Sequence, residues 1–246
     1  MFPSKAFMPF TVLGDPDSET STKIIRSMVD NGADCLELGF AFSDPIADGP
    51  IIQKANMRAL KAGITTEKAF DILKEIRNYT EIPISLMLAY NIAYQYGVDS
   101  FYRRCNELKI DAVLIPDIPI EELHEINDQA EKNRIATPLL VSPNSKERAH
   151  KICNLASGYI YMVSILGTTG VRSEVIVALP RLCEELKTDL PIYVGFGISK
   201  PEHVKKVLTY ADGAITGSAI CRMIEENTID KIGQFIKEMK DAARDS

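Results

Sequence analysis

Short apolar runs of strand length alternate with longer stretches of helical periodicity along the whole chain. The runs cover residues 7–13, 33–38, 82–88, 112–115, 135–141, 159–163, 191–194 and 213–216. Most are near-continuous rather than alternating, as strands buried on both faces are. Between them, residues 18–31 place Ile24, Ile25, Met28 and Val29 on one face, behind an Asp/Ser/Glu-rich start suited to a helix N-terminus. Residues 67–77 repeat this with Phe70, Ile72, Leu73 and Ile76. Ile229, Ile232, Ile236 and Met239, spaced by three, four and three, predict a last helix. Eight strands alternating with helices in about 250 residues predict a (β/α)8 TIM barrel, an α/β fold in one domain spanning 1–246. The alternative, an open doubly wound sheet, is weakened because no G-x-G-x-x-G follows the first run and no P-loop occurs.

Composition narrows the function more than the fold. The 246 residues contain 28 Lys+Arg against 34 Asp+Glu, a net charge of −6. That balance argues against nucleic-acid binding, which needs clustered cations. It is compatible with a small phosphorylated ligand held by backbone amides. The five cysteines are widely spaced with no C-x-x-C, which predicts reduced thiols in a cytoplasmic protein rather than disulfides or a zinc site. The three histidines are equally scattered, so no metal cluster is expected. No signal-like run opens the chain, and no apolar stretch is long enough to cross a membrane.

In a barrel of this kind, chemistry sits at the C-terminal ends of the strands. After the second run, Leu36 and Leu38 share one face and Glu37 the other. If the leucines meet helices, Glu37 points into the barrel, either as a tuned acid–base or as a carboxylate paired with a barrel Lys or Arg. The next segment, Phe42-Ser43-Asp44-Pro45-Ile46-Ala47-Asp48-Gly49-Pro50, is stiffened by two prolines and carries Asp44 and Asp48 into a loop on the same face. Glycine loops follow the last two runs: Gly195-Phe196-Gly197, and Gly217-Ser218 opening a helical pattern. Loops in these slots commonly hold phosphate. Residues 167–172, with Gly167, Thr168, Thr169 and Gly170, suit a loop that closes over a ligand, or a plain surface connection. Phe10, Tyr161 and Phe196 lie where a flat apolar pocket would form.

Taken together, Leu36-Glu37-Leu38-Gly39, the Phe42–Pro50 block and the following Ile52-Gln53-Lys54-Ala55-Asn56-Met57-Arg58-Ala59-Leu60 resemble the tryptophan synthase alpha chain family. So do Leu13-Gly14-Asp15-Pro16, Pro116-Asp117-Ile118-Pro119, Gly167-Thr168-Thr169-Gly170, Gly195-Phe196-Gly197-Ile198 and Gly217-Ser218-Ala219-Ile220. The resemblance implies cleavage of indole-3-glycerol phosphate to indole and glyceraldehyde 3-phosphate, a retro-aldol reaction without metal or organic cofactor. It implies Glu37 as acid–base catalyst and Asp48 as the partner of the indole N–H. It implies phosphate held by Gly170, Gly197, Gly217 and Ser218, and an indole pocket of Phe10, Leu114, Tyr161 and Phe196, with Thr169 in the closing loop. It also implies a pyridoxal-phosphate beta chain as partner in an alpha2-beta2 complex, with Asp44 in the loop facing it. Three departures stand out. Ala41 replaces a usual proline. Ala89 stands where an aromatic is usual, which makes the pocket roomier or leaves Tyr90 to fill it. The short stretch before Phe7 leaves the barrel bottom open or covered by something else.

Overall fold

The structure is a computed structural model that describes every residue except 46–47, 144–147, 165–171, 196 and 246, with only the backbone described for 172–178. Eight parallel strands form the centre: β1 (Ala6–Val12), β2 (Leu36–Gly39), β3 (Ile84–Met87), β4 (Ala112–Leu114), β5 (Leu139–Val141), β6 (Ile160–Val163), β7 (Ile192–Gly195) and β8 (Gly213–Thr216). Each falls on one of the predicted apolar runs or within one residue of it. Their order is β4-β3-β2-β1-β8-β7-β6-β5.

The two outer strands of that order meet through a parallel bridge between Ala112 and Ala136. There the Val113 N–H donates to the Ala136 carbonyl, and the Ala136 N–H to the Asp111 carbonyl, both at 2.9 Å. The fifth run is thus split, with Ala136 closing the barrel and β5 resuming at Leu139. Pro138 lies between them and has no N–H to give to a ladder.

The helices pack outside. They are α1 (Ser18–Asp30), α2 (Pro50–Lys61), α3 (Thr66–Tyr79), α4 (Tyr90–Tyr96), α5 (Val98–Glu107), α6 (His124–Lys132), α7 (Ala149–Leu155), α8 (Arg172–Glu185), α9 (Pro201–Val207), α10 (Ser218–Glu225) and α11 (Ile232–Arg244). The starts of α1 and α3 show how sequence sets them. The carboxylate of Asp17 and the hydroxyl of Thr65 each accept a backbone N–H of the first turn.

Alternation along the strands divides the core in two. Leu36, Leu38, Leu86, Ile160 and Val194 join helix residues such as Ile25, Phe70 and Ile236 in an outer layer. Ala6, Met8, Phe10, Val12, Leu114 and Tyr161 fill the barrel. The bottom of the barrel is covered by the chain's own N-terminus. The Phe2 ring lies 4.8 Å from that of Tyr159 and 6.1 Å from that of Tyr193, and the Tyr193 hydroxyl donates to the Pro3 carbonyl at 2.6 Å. Among the described residues no helix is long and apolar enough to cross a membrane.

Candidate active site

Glu37 enters the barrel because its neighbours leave it. Leu36 and Leu38 are spent on the outer layer, so the pleat turns the carboxyl inward, where it is only 1% exposed. Its Cα pairs with Phe10 on one side and Ser85 on the other. Across the barrel, the Tyr159 hydroxyl donates to Glu37 Oε1 at 3.5 Å, and that hydroxyl lies 2.9 Å from Ser85 Oγ. Burial pushes the Glu37 carboxyl up to about 8; the Tyr159 hydrogen bond opposes this, and the charge of Asp48 adds to it. No Lys or Arg of the described residues is among the groups that shift Glu37. Its neighbours among the described residues are a tyrosine hydroxyl and a second carboxyl rather than a cation.

Asp48 is set by the helix that follows it. Gly49 precedes α2 and Pro50 opens it, a favoured place for proline because the missing N–H is not needed there. Nearly two turns later, Asn56 is buried and grips the loop at two points. Its Nδ2 donates to Asp48 Oδ2 at 3.1 Å, and its Oδ1 accepts the Phe42 N–H at 3.1 Å. Gln53 Nε2 adds a bond to the Asp48 carbonyl at 2.9 Å. Burial raises the Asp48 carboxyl, and the Asn56 amide works against that rise. The two acids therefore occupy different environments: Glu37 is enclosed among aromatic rings, whereas Asp48 is half-buried beside an amide donor.

At the end of β2, past Gly39, opens a cleft of about 610 Å³, counted out to solvent, lined by Phe10, Phe40, Phe42, Met87, Ala89 and Asp48 among others, with Glu37 buried off its wall. Ala89 contributes only a methyl group to this wall. Tyr90 does not fill the space: its hydroxyl bonds to Glu125 of α6, and its N–H donates to Asp117 Oδ1 at 2.9 Å. Tyr90 is not among the residues lining the cleft, whereas Ala89 is. Phe10 is seated between two glycines, since a Cβ on Gly39 would lie 2.9 Å from its ring and one on Gly217 would lie 2.8 Å from it. Tyr161 needs Gly195 in the same way, because a Cβ there would fall 2.1 Å from its hydroxyl.

At the far side of the mouth, Gly217 is the N-cap of α10 and Ser218 its first residue, and no acidic side chain occupies that first turn. Gly197 has φ +75°, which a side chain would strain. The positive end of a helix and the amides of its first turn are a setting that favours anions in general.

The family whose members are described as "Tryptophan synthase alpha chain" matches residues 3–245. The chain belongs to the tryptophan synthase alpha chain family. It is 48% identical over 230 residues to the alpha chain of Methanothermobacter thermautotrophicus, covering 92% of this chain and 85% of that one. It is 45% identical over 251 residues to that of Actinobacillus succinogenes, covering 96% and 93%. Among solved structures, a mutant tryptophan synthase alpha-subunit from Pyrococcus furiosus superposes with a TM-score of 0.90 at 34% identity, covering 97% of this chain and 99% of that one. A Mycobacterium tuberculosis tryptophan synthase chain gives 0.90 at 28% identity, covering 98% and 93%. The activity of the tryptophan synthase alpha chain family is the cleavage of indole-3-glycerol phosphate, and its members work with a beta chain.

Against that family, the described structure brings together most residues singled out from sequence. Phe10, Glu37, Leu114 and Tyr161 sit in the barrel interior, Asp48 at the cleft, and Gly197, Gly217 and Ser218 at the ends of β7 and β8. Asp44 is exposed at the cleft edge, its carboxylate accepting from Ser43 Oγ at 2.7 Å. Thr169, Gly170 and Phe196 lie outside the described residues. Sequence reading passed over Asn56, Tyr159 and Ser85. Asn56 carried a usable signal, being a polar residue between Ala55 and Ala59 on the inward side of α2.

Proposed function

We propose that this chain cleaves indole-3-glycerol phosphate with Glu37 as its acid–base and Asp48 as the acceptor of the indole N–H. One observation carries this reading: a carboxyl group buried in the barrel and held protonated up to about 8, with a second carboxyl close enough to raise it further. The carbon–carbon bond to an indole ring breaks only after the ring carbon is protonated. Protonated Glu37 supplies that proton. Positive charge then spreads toward the ring nitrogen, where ionised Asp48 stabilises it. The side-chain hydroxyl next to the breaking bond loses its proton to the Glu37 carboxylate. Its O–H electron pair becomes the carbonyl of glyceraldehyde 3-phosphate. The bond's own electron pair returns to the ring to leave neutral indole, and Glu37 is again protonated. The reaction sequence needs Glu37 protonated and Asp48 ionised; burial favours the first, and the Asn56 amide donor favours the second.

Phe10, Leu114, Tyr161 and Phe196 form the ring pocket in this reading. Backbone amides at Gly170, Gly197, Gly217 and Ser218 receive the phosphate, and Thr169 belongs to the closing segment. Residues 1–246 act as one barrel, in the cytoplasm, within an alpha2-beta2 assembly whose beta chain consumes the indole. The test is release of indole from indole-3-glycerol phosphate by the purified chain, with and without a beta chain. Release stimulated by the partner supports the reading. No release in either case from a folded chain contradicts it.

A further inference from the structure

Helix α2 touches both ends of the proposed site. Through Asn56 it holds Asp48 and Phe42. Through Lys54 and Arg58, four residues apart and so on one face, it reaches α10. Lys54 Nζ lies 2.7 Å from Glu225 Oε1. Arg58 makes a two-pronged bond to Asp15 just past β1, Nε to Oδ1 at 2.8 Å and Nη2 to Oδ2 at 2.7 Å. The same Nη2 donates to the Cys221 carbonyl of α10 at 3.3 Å. Asp15 is fully buried. A buried ion pair is weak support for stability, because desolvation offsets most of the attraction, but it is demanding in geometry.

The apolar side chains around this packing include Ala55 and Ala59 of α2 and Cys221 of α10, with Ile51 and Ile52 partly buried beside them. Apolar burial is non-directional, whereas the Arg58 and Lys54 bonds are directional and demand a set geometry.

We propose that Arg58 is a positioning residue that locks α2, and with it the Asn56–Asp48 loop, in a set register on α10, so that the ring end and the phosphate end of the substrate are received at a fixed separation. This rests on the functional reading above, which places the phosphate at the start of α10. A ligand held at both ends reacts well only when the two holders are correctly spaced. A displacement of about 1 Å far from the reacting atoms costs up to ~100-fold in rate. Inorganic phosphate, which occupies one end only, is indifferent to that spacing.

Arg58→Lys is the first variant, because it keeps a counter-charge for Asp15 while giving up the planar fork and its simultaneous reach to the Cys221 carbonyl. Lys54→Met, which removes only an exposed pin, is the second. The measurements are kcat per folded molecule for indole-3-glycerol phosphate and the inhibition constant of inorganic phosphate, both well below the unfolding midpoint. The expected result for Arg58→Lys is a fall in kcat of about ten-fold or more, with phosphate inhibition within about two-fold of wild type. Lys54→Met should move kcat in the same direction by a smaller factor. Unchanged kcat per folded molecule in Arg58→Lys would make the residue merely structural and overturn the proposal. A loss of phosphate affinity as large as the loss of kcat would overturn it too, by making Arg58 a support of α10 alone. Absence of indole release by the wild-type chain would instead remove the reading underneath.

Discussion

The Tyr159 hydroxyl donates across the barrel to Glu37 Oε1 at 3.5 Å, joining the start of β6 to the middle of β2. This bond favours the ionised carboxylate and, among the described residues, pulls the Glu37 carboxyl down against burial and the Asp48 charge. If protonated Glu37 starts the reaction, kcat/KM falls as pH rises past about 8. Tyr159→Phe removes the opposing bond, so the falling limb should move to higher pH. A pH profile of the variant checks this; a limb that stays in place or moves down would detach Tyr159 from Glu37.

Burial of Glu37 also makes folding depend on pH. Its folded value, about 8, lies above the ordinary 4.5. Between those values the folded chain holds a proton that the unfolded chain has released, so stability falls as pH rises through this window and levels off above it. The slope contributed by this one group is at most about 1.4 kcal/mol per pH unit. Glu37→Gln, which never ionises, should lack that contribution and gain stability over wild type at pH 8 relative to pH 5, by about 2–4 kcal/mol. Urea unfolding midpoints of both proteins at the two pH values measure it. An equal difference at both would mean that Glu37 is not kept protonated by the fold.

Asn56 is the residue through which α2 controls the carboxylate loop. Asn56→Ala frees Asp48 and the Phe42 amide together, and removes the donor that restrains the rise of the Asp48 carboxyl. Loss of kcat by about 10–100-fold is expected, since Asp48 is no longer held at the ring nitrogen. The expected loss of stability is only about 1–3 kcal/mol, the range for one buried polar contact left unmade. Parallel measurement of turnover and unfolding separates the two; a stability loss with normal turnover would contradict the assignment.

In the proposed reading Gly217 serves both phosphate and ring, since it is the N-cap of α10 and lies against Phe10. Gly217→Ala places a methyl group 2.8 Å from the Phe10 ring, which must then shift within its tight seat against Gly39. The expected outcome is a raised KM for the full substrate with little change in inhibition by inorganic phosphate. Gly217→Asp adds like-charge repulsion and should weaken phosphate as well. Unchanged phosphate inhibition in Gly217→Asp would place the anion elsewhere.

The parts of this arrangement legible in sequence are those that local pattern determines. Leu36 and Leu38 orient Glu37 through the two-residue period of a strand, and the paired prolines of residues 42–50 mark a stiff loop carrying Asp48. Partners that meet through the closed barrel are of another kind. Tyr159 is 122 residues from Glu37, and only strand order and register bring them together. Pro138 shows the same limit within one apolar run: hydrophobicity is continuous from 135 to 141, yet the missing N–H divides the run into a bridge and a strand. At the barrel bottom, the short N-terminal stretch leaves the end open or covered by something else when read from sequence; in the structure Phe2 covers it, with edge-on contacts to Tyr159 and Tyr193.

Conversion of Glu37 to glutamine tests the central claim most directly, because it keeps the shape of the buried side chain and removes its transferable proton. Indole release by Glu37→Gln, assayed beside wild type with the beta chain present, should be abolished while inhibition by inorganic phosphate and activation of the beta chain persist. Turnover within a few-fold of wild type would contradict the account, since the ring carbon would then take its proton from another group.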